Sequence, residues 1–99
     1  MKIFIKAISK EIEFNVCDVF DDGEGCKRYM FESCCGDEHY SFYIFDNNVD
    51  CDCIDVYYRL CEHIGENSIL YSVCDVFSII MNDSIKELII KDIKTIFIS

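Results

Sequence analysis

Apolar and polar residues alternate differently in the two halves of the chain. In the first half apolar positions recur every second residue, as in strands with one buried face. Residues 2–8, KIFIKAI, are β-branched and aromatic and alternate in part. Residues 11–20, EIEFNVCDVF, alternate more clearly, with Ile12, Phe14 and Val16 facing one way. The pattern slips at Cys17-Asp18, which predicts a bulge. Asp21-Asp22-Gly23-Glu24-Gly25 reads as a turn with glycine available for positive φ. Residues 26–32 form a third strand, Cys34-Cys35-Gly36-Asp37-Glu38 a second turn, and residues 39–46 a fourth strand. Short turns between such runs predict an antiparallel meander of about four strands.

The fourth strand carries Tyr40, Phe42 and Ile44 on one face and Tyr43 and Phe45 on the other. A sheet face open to water is normally polar. The second face is therefore expected to lie under the chain's own elements, with a partner as the alternative.

In the second half the period changes. Ile54, Tyr57, Tyr58, Cys61 and Ile64 fall at helical spacing and predict a helix over 53–64, closed by Gly65. Ser68 would cap a second helix with Ile69, Val73, Val76, Phe77 and Ile80 on one face. Asp83 or Ser84 would cap a third, with Ile85, Leu88, Ile89 and Ile93 inward and Glu87 and Lys91 paired outward. The tail Thr95-Ile96-Phe97-Ile98 is β-branched and predicts a short closing strand. Strands followed by two or three helices make one α+β domain over 1–99. The segments IEFNVCDVF (12–20) and ILYSVCDVF (69–77) share five consecutive residues. Read as strand and helix, they form no repeat, since repeat architectures recur over longer periods.

Composition narrows the class. The chain has 99 residues, of which 52% are hydrophobic, enough for one ordered domain. No segment resembles a signal peptide or membrane span, so a cytoplasmic setting is expected. In that setting the eight cysteines are expected to be free thiols, mostly packed as small hydrophobes.

Charge changes the picture most. The net charge is −10. From Glu11 to Asp83 there are 17 acidic residues against Lys27, Arg28 and Arg59, whereas six of the nine basic residues lie at the ends. Such a field disfavours nucleic acid and draws basic partners. The acids concentrate in three turns, and a meander puts the first and third at one end of the sheet. The expected contact residues are Asp21, Asp22 and Glu24 from the first turn, and Asp46, Asp50, Asp52 and Asp55 from the third, with Tyr43 and Tyr58 as aromatic anchors. This pattern suits a small protein inhibitor that places carboxylates where a nucleic-acid enzyme expects phosphates. Anti-restriction and anti-CRISPR proteins work in that manner, as do immunity proteins and antitoxins against nucleases. A Cys/His metal-binding or redox module and a homodimeric structural module are the remaining classes.

Candidate chemistry is sparse. Cys51, Cys53, Cys61 and His63 are weak metal candidates, because no CxxC occurs and residues 61 and 63 diverge on a helix. Asp46-x-Asn48-x-Asp50 opens like an EF-hand, yet Cys51 replaces its glycine and Tyr57 its bidentate glutamate. His39 near Cys34 and Cys35, and His63 near Cys61, sit among carboxylates that oppose thiolate formation. No phosphate-binding glycine loop, GxSxG elbow or HExxH occurs. No enzyme activity and no cofactor are expected.

Overall fold

The computed structural model describes residues 1–21, 23–46, 51–63, 65–66 and 68–98, without the side chains of Cys35, His63, Cys74 and residues 96–98. It contains β1 (Lys2–Ile5), a 3₁₀ turn (Lys6–Ile8), β2 (Lys10–Glu13), β3 (Asn15–Asp21), β4 (Lys27–Cys35), β5 (Glu38–Phe45), β6 (Cys53–His63), β7 (Ile69–Ile80) and α1 (Asp83–Ile98). Strands β1 and β2 form an antiparallel hairpin. Strands β3 to β7 form a five-stranded antiparallel meander in chain order.

Of the four-strand meander expected in the first half, only β3 to β5 form one: residues 11–20 divide at Phe14 into β2 and β3, the first strand pairs with β2 in the separate hairpin, and the helices expected over 53–64 and 69–80 are strands. The fold is mostly β with one C-terminal helix, not a short meander followed by two or three helices. Both segments satisfy either period. Ile54, Tyr57, Tyr58 and Cys61 fit a helix, while Ile54, Val56, Tyr58 and Leu60 fit a strand. Periodicity alone does not separate the two, and β-branched and aromatic content decides for the strand. Ile54 and Val56 are buried on the inner side.

The tail is also corrected. The helix foreseen from Asp83 or Ser84 begins at Asp83 and runs to Ile98, so no closing strand forms. Its cap is Asn82, whose Oδ1 accepts the Ile85 N–H at 2.9 Å. Ile89 and Ile93 are buried, but Leu88 is exposed rather than inward.

The core lies on one side of the five-stranded sheet. Tyr29, Phe31, Tyr40, Phe42, Ile44, Ile54, Val56 and Ile79 point inward from the sheet and meet Ile3 and Ile5 of β1 and Ile89 and Ile93 of α1. Phe14, between β2 and β3, is fully buried. Its ring lies edge-on to Phe42, with centroids 5.0 Å apart, and Phe42 stacks on Phe31 at 4.9 Å. The Met1 nitrogen donates to the Phe14 carbonyl and the Phe14 N–H to the Met1 carbonyl, both at 2.7 Å.

The shared VCDVF segments occupy the two edge strands and fold alike. In β3 the register passes from Val16 to Asp18, leaving Cys17 as an extra residue. In β7 it passes from Val73 to Asp75, leaving Cys74. In both, the aspartate side chain accepts the next backbone N–H, Val19 to Asp18 at 2.9 Å and Val76 to Asp75 at 2.8 Å. The likeness is therefore structural as well as textual. A bulge and an occupied N–H make an edge a poor template for another strand.

Two tests follow from this architecture. Phe14→Ala should cost about 3–5 kcal/mol in urea unfolding, as expected for a buried aromatic. The double change Asp18→Ala/Asp75→Ala should increase self-association in sedimentation velocity. An unchanged size distribution would remove the edge-protecting role of these aspartates.

Candidate functional site

The sheet's outer face is uncovered by the chain's own described elements, contrary to the expectation that Tyr43 and Phe45 would be packed over. Tyr43 is 38% exposed and Phe45 44%. The register explains what surrounds them. Phe20, Arg28 and Phe45 are successive cross-strand partners on β3, β4 and β5, and Tyr43 pairs with Met30 one step along. The Arg28 guanidinium lies 5.2 Å from the Phe20 ring centroid and 4.9 Å from that of Tyr43. Cation–π contact thus couples Arg28 to both rings. Phe20, Arg28 and Phe45 are absent from the sequence-derived contact set. Their signal was alternation: each lies on the strand face opposite the core residues.

The first and third acidic segments do meet at one end of the sheet. Asp46 Oδ1 accepts the Lys27 N–H at 3.3 Å. Asp21 is the cross-strand partner of Lys27, so both acids stand at one strand end, and burial first, then these carboxylates, push the Tyr29 hydroxyl above its ordinary pKa. Asp21 Oδ1 accepts the Gly23 N–H at 2.9 Å and shapes the first turn. Glu24, Asp46, Asp52 and Asp55 are exposed. Asp22 and Asp50 lie outside the described residues, as does the Asn47-Asn48 segment of the EF-hand-like loop. Described pairing of β5 with β6 covers only Glu38–Ser41 against Tyr57–Leu60. Beyond it lies a cavity of about 250 Å³ lined by Tyr43, Phe45, Cys51, Cys53, Asp55 and Tyr57.

Tyr58 does not belong with this surface. It is half-buried on the inner side, its ring is 5.1 Å from Tyr40, and its hydroxyl donates to Glu38 Oε1 at 3.0 Å. The four weak metal candidates are not brought together either. Cys53 and Cys61 stand on one extended strand eight residues apart, roughly 26 Å at strand rise. Cys51 lies at the Cys53 end, and the side chain of His63 is not described. Among the described cysteines none is fully buried: Cys17, Cys34 and Cys53 are exposed, and Cys26, Cys51 and Cys61 half-buried, with Cys51 packed against the core.

A different cluster occupies the outer face at the opposite end. Glu32 and Cys34 are two residues apart on β4, and His39 of β5 is the cross-strand partner of Cys34. One donor atom from each of the three lies within 4.8 Å of the others. Glu32 Oε2 and His39 Nε2 are 2.9 Å apart, and the His39 side chain is 13% exposed. His39 Nδ1 is buried and has no hydrogen-bond partner among the described residues. Leaving a buried nitrogen unsatisfied costs about 1–3 kcal/mol. Cys17 stands on the same carboxylate. Partial burial, then Glu32 and Asp18, push its thiol up to about 11. Burial and Glu32 also raise the Cys34 thiol. Tyr71 borders the cluster, its ring 5.8 Å from that of His39. Its hydroxyl is held above the usual value first by the Cys61 thiol, with Cys34 and Glu32 contributing.

Comparison with protein-family models, with characterised proteins and with solved structures finds no match to this chain. No helix among the described residues is long and apolar enough to cross a membrane.

The electrostatics give a direct check. At pH 8 the Cys17 thiol, shifted from 9.0 to about 11, should hold about a hundredfold less thiolate than an ordinary cysteine and alkylate correspondingly slowly. Mass-spectrometric timing of iodoacetamide labelling reads this. Glu32→Gln should speed the reaction by removing one of the charges that oppose it.

Proposed function

We propose that the protein is a non-catalytic binding module that docks on a basic protein partner, one that handles nucleic acid, through the acidic end of its outer sheet face. The observation that carries this is the Phe20–Arg28–Tyr43–Phe45 patch beside Asp21, Asp46 and Asp55. Aromatic and arginine side chains dominate the energetics of protein interfaces, and Arg28 is already ordered by its stacking. The surrounding carboxylates supply a field that accelerates encounter with a basic surface and repels nucleic acid itself. Within the chain net charge of −10, Lys27 and Arg28 are the two basic residues of this end, set among Asp21, Asp46 and Asp55, and the Arg28 guanidinium stacks with the Phe20 and Tyr43 rings. A second copy of the chain is a poorer occupant, because two acid-ringed faces repel each other. Inhibition follows if the acids occupy a channel built for phosphates, and both anti-defence and nuclease-immunity roles use that same contact.

The test is a panel of purified nucleases with basic channels, assayed with and without the protein. Stoichiometric inhibition of at least one enzyme is expected, weakening by about tenfold or more as salt rises from roughly 50 to 200 mM. Asp21→Asn/Asp46→Asn/Asp55→Asn should mainly slow association. Tyr43→Ala should mainly speed dissociation, by about 2 kcal/mol of binding free energy. Salt-insensitive binding, or no inhibition across the panel, would overturn the proposal.

A further inference from the structure

We propose that Glu32, Cys34 and His39 form a binding site for a single zinc ion on the outer face of the β4–β5 hairpin. This site is distant from the acidic patch and does not depend on the docking reading.

Strand geometry builds the site without a loop. Glu32 and Cys34 share a face because side chains two apart on a strand point the same way. The tight turn at Gly36, with φ of 62°, sets the register that places His39 opposite Cys34. Three donors within 4.8 Å, two of them 2.9 Å apart, bracket the spacing zinc needs. With bonds of about 2.0–2.3 Å, tetrahedral zinc holds its ligands about 3.3–3.7 Å from one another. Small side-chain rotations suffice, and the backbone need not move.

The donor set selects the metal. One thiolate, one imidazole and one carboxylate suit a borderline-soft ion. Calcium and magnesium require oxygen ligands throughout. Three protein ligands leave a fourth position open toward the Tyr71 side, as in zinc sites that carry a water or an exogenous ligand. Zinc on His39 Nε2 would take the place of the proton shared with Glu32 Oε2, so that both atoms become ligands and the imidazole N–H moves to Nδ1.

The surrounding charge permits a cation. Beyond the ligand Glu32, the chain as a whole is strongly acidic. Arg59, the cross-strand partner of His39, lines the same cavity as Glu32, His39 and Tyr71; its Nη1 donates to Ser41 Oγ at 2.7 Å and its guanidinium lies 5.5 Å from the Tyr57 ring centroid. Binding exchanges the Cys34 S–H bond for a metal–sulfur bond and releases that proton to solvent. Affinity should therefore rise with pH across the range where the thiol is protonated.

The test uses the full reduced chain, freed of metal, with cobalt(II) as the spectroscopic probe and zinc(II) in competition with a chromophoric chelator. Wild type should bind one equivalent of cobalt with a thiolate charge-transfer band. That band should vanish in Cys34→Ser, and zinc affinity should fall about tenfold or more in Glu32→Gln and in His39→Gln. Cys53→Ser, at the far end of β6, should stay within about twofold of wild type. Zinc should also raise the thermal midpoint of wild type and not that of Glu32→Gln, which keeps the reading independent of any folding defect in the cysteine variant. Equal zinc affinity in wild type and all three site variants would overturn the proposal. So would loss of the band in Cys53→Ser with its retention in Cys34→Ser.

Discussion

One packing contact organises the molecule: Phe14 set edge-on against the Phe42–Phe31 stack. Phe14 joins the small hairpin to the large sheet, so its burial fixes how β1 and β2 lie across the inner face. Ile3 and Ile5 complete the same cluster, and α1 adds Ile89 and Ile93. Every covering element of this small chain is thereby committed to one side of the sheet. The opposite side meets water by default, although Phe20, Tyr43, Phe45, Val73, Val76 and Ile80 lie exposed. A large uncovered apolar surface on a small domain commonly marks a place where something else binds.

That one-sidedness sorts the chemistry by location. The first turn and the third loop bring Asp21 and Asp46 together around Tyr29 at one end. The β4–β5 turn gathers Glu32, Cys34 and His39 at the other. The second cluster and the Phe20–Arg28–Tyr43–Phe45 patch share the outer face, whereas Asp21 and Asp46 flank the sheet end beside the inward Tyr29. The edges obey a different rule: β3 and β7 each use Val-Cys-Asp-Val-Phe to insert a bulge and tie up a backbone N–H. The same five residues recur because both edges face the same hazard.

Legibility followed how strongly local chemistry singles out one conformation. Gly23, Gly25 and Gly36 adopt positive φ where the turns were read, and the Cys17 bulge was visible as a slip in alternation. The helix start is legible at Asp83 or Ser84, although Asn82 is the cap. Strands β6 and β7 were misread because ILYSVCDVFSII is apolar on both faces. A helical stripe can always be drawn through such a run. The tail was misread for the opposite reason: Thr95-Ile96-Phe97-Ile98 favours a strand locally, but it continues a helix already anchored by Ile89 and Ile93.

The sequence by itself determined the acidic centre, the meander of β3 to β5, the inward set Tyr40, Phe42 and Ile44, and the third helix. Each depends on charge, period or turn residues within a few positions. Only the tertiary structure decided that residues 53–63 and 69–80 extend the sheet, that Tyr58 turns into the core, and that Tyr43 remains exposed. It alone paired Cys34 with His39 and set Arg28 between Phe20 and Tyr43. The physical reason is register. A strand's neighbours are chosen across the sheet, and a shift of one residue exchanges the buried face for the open one.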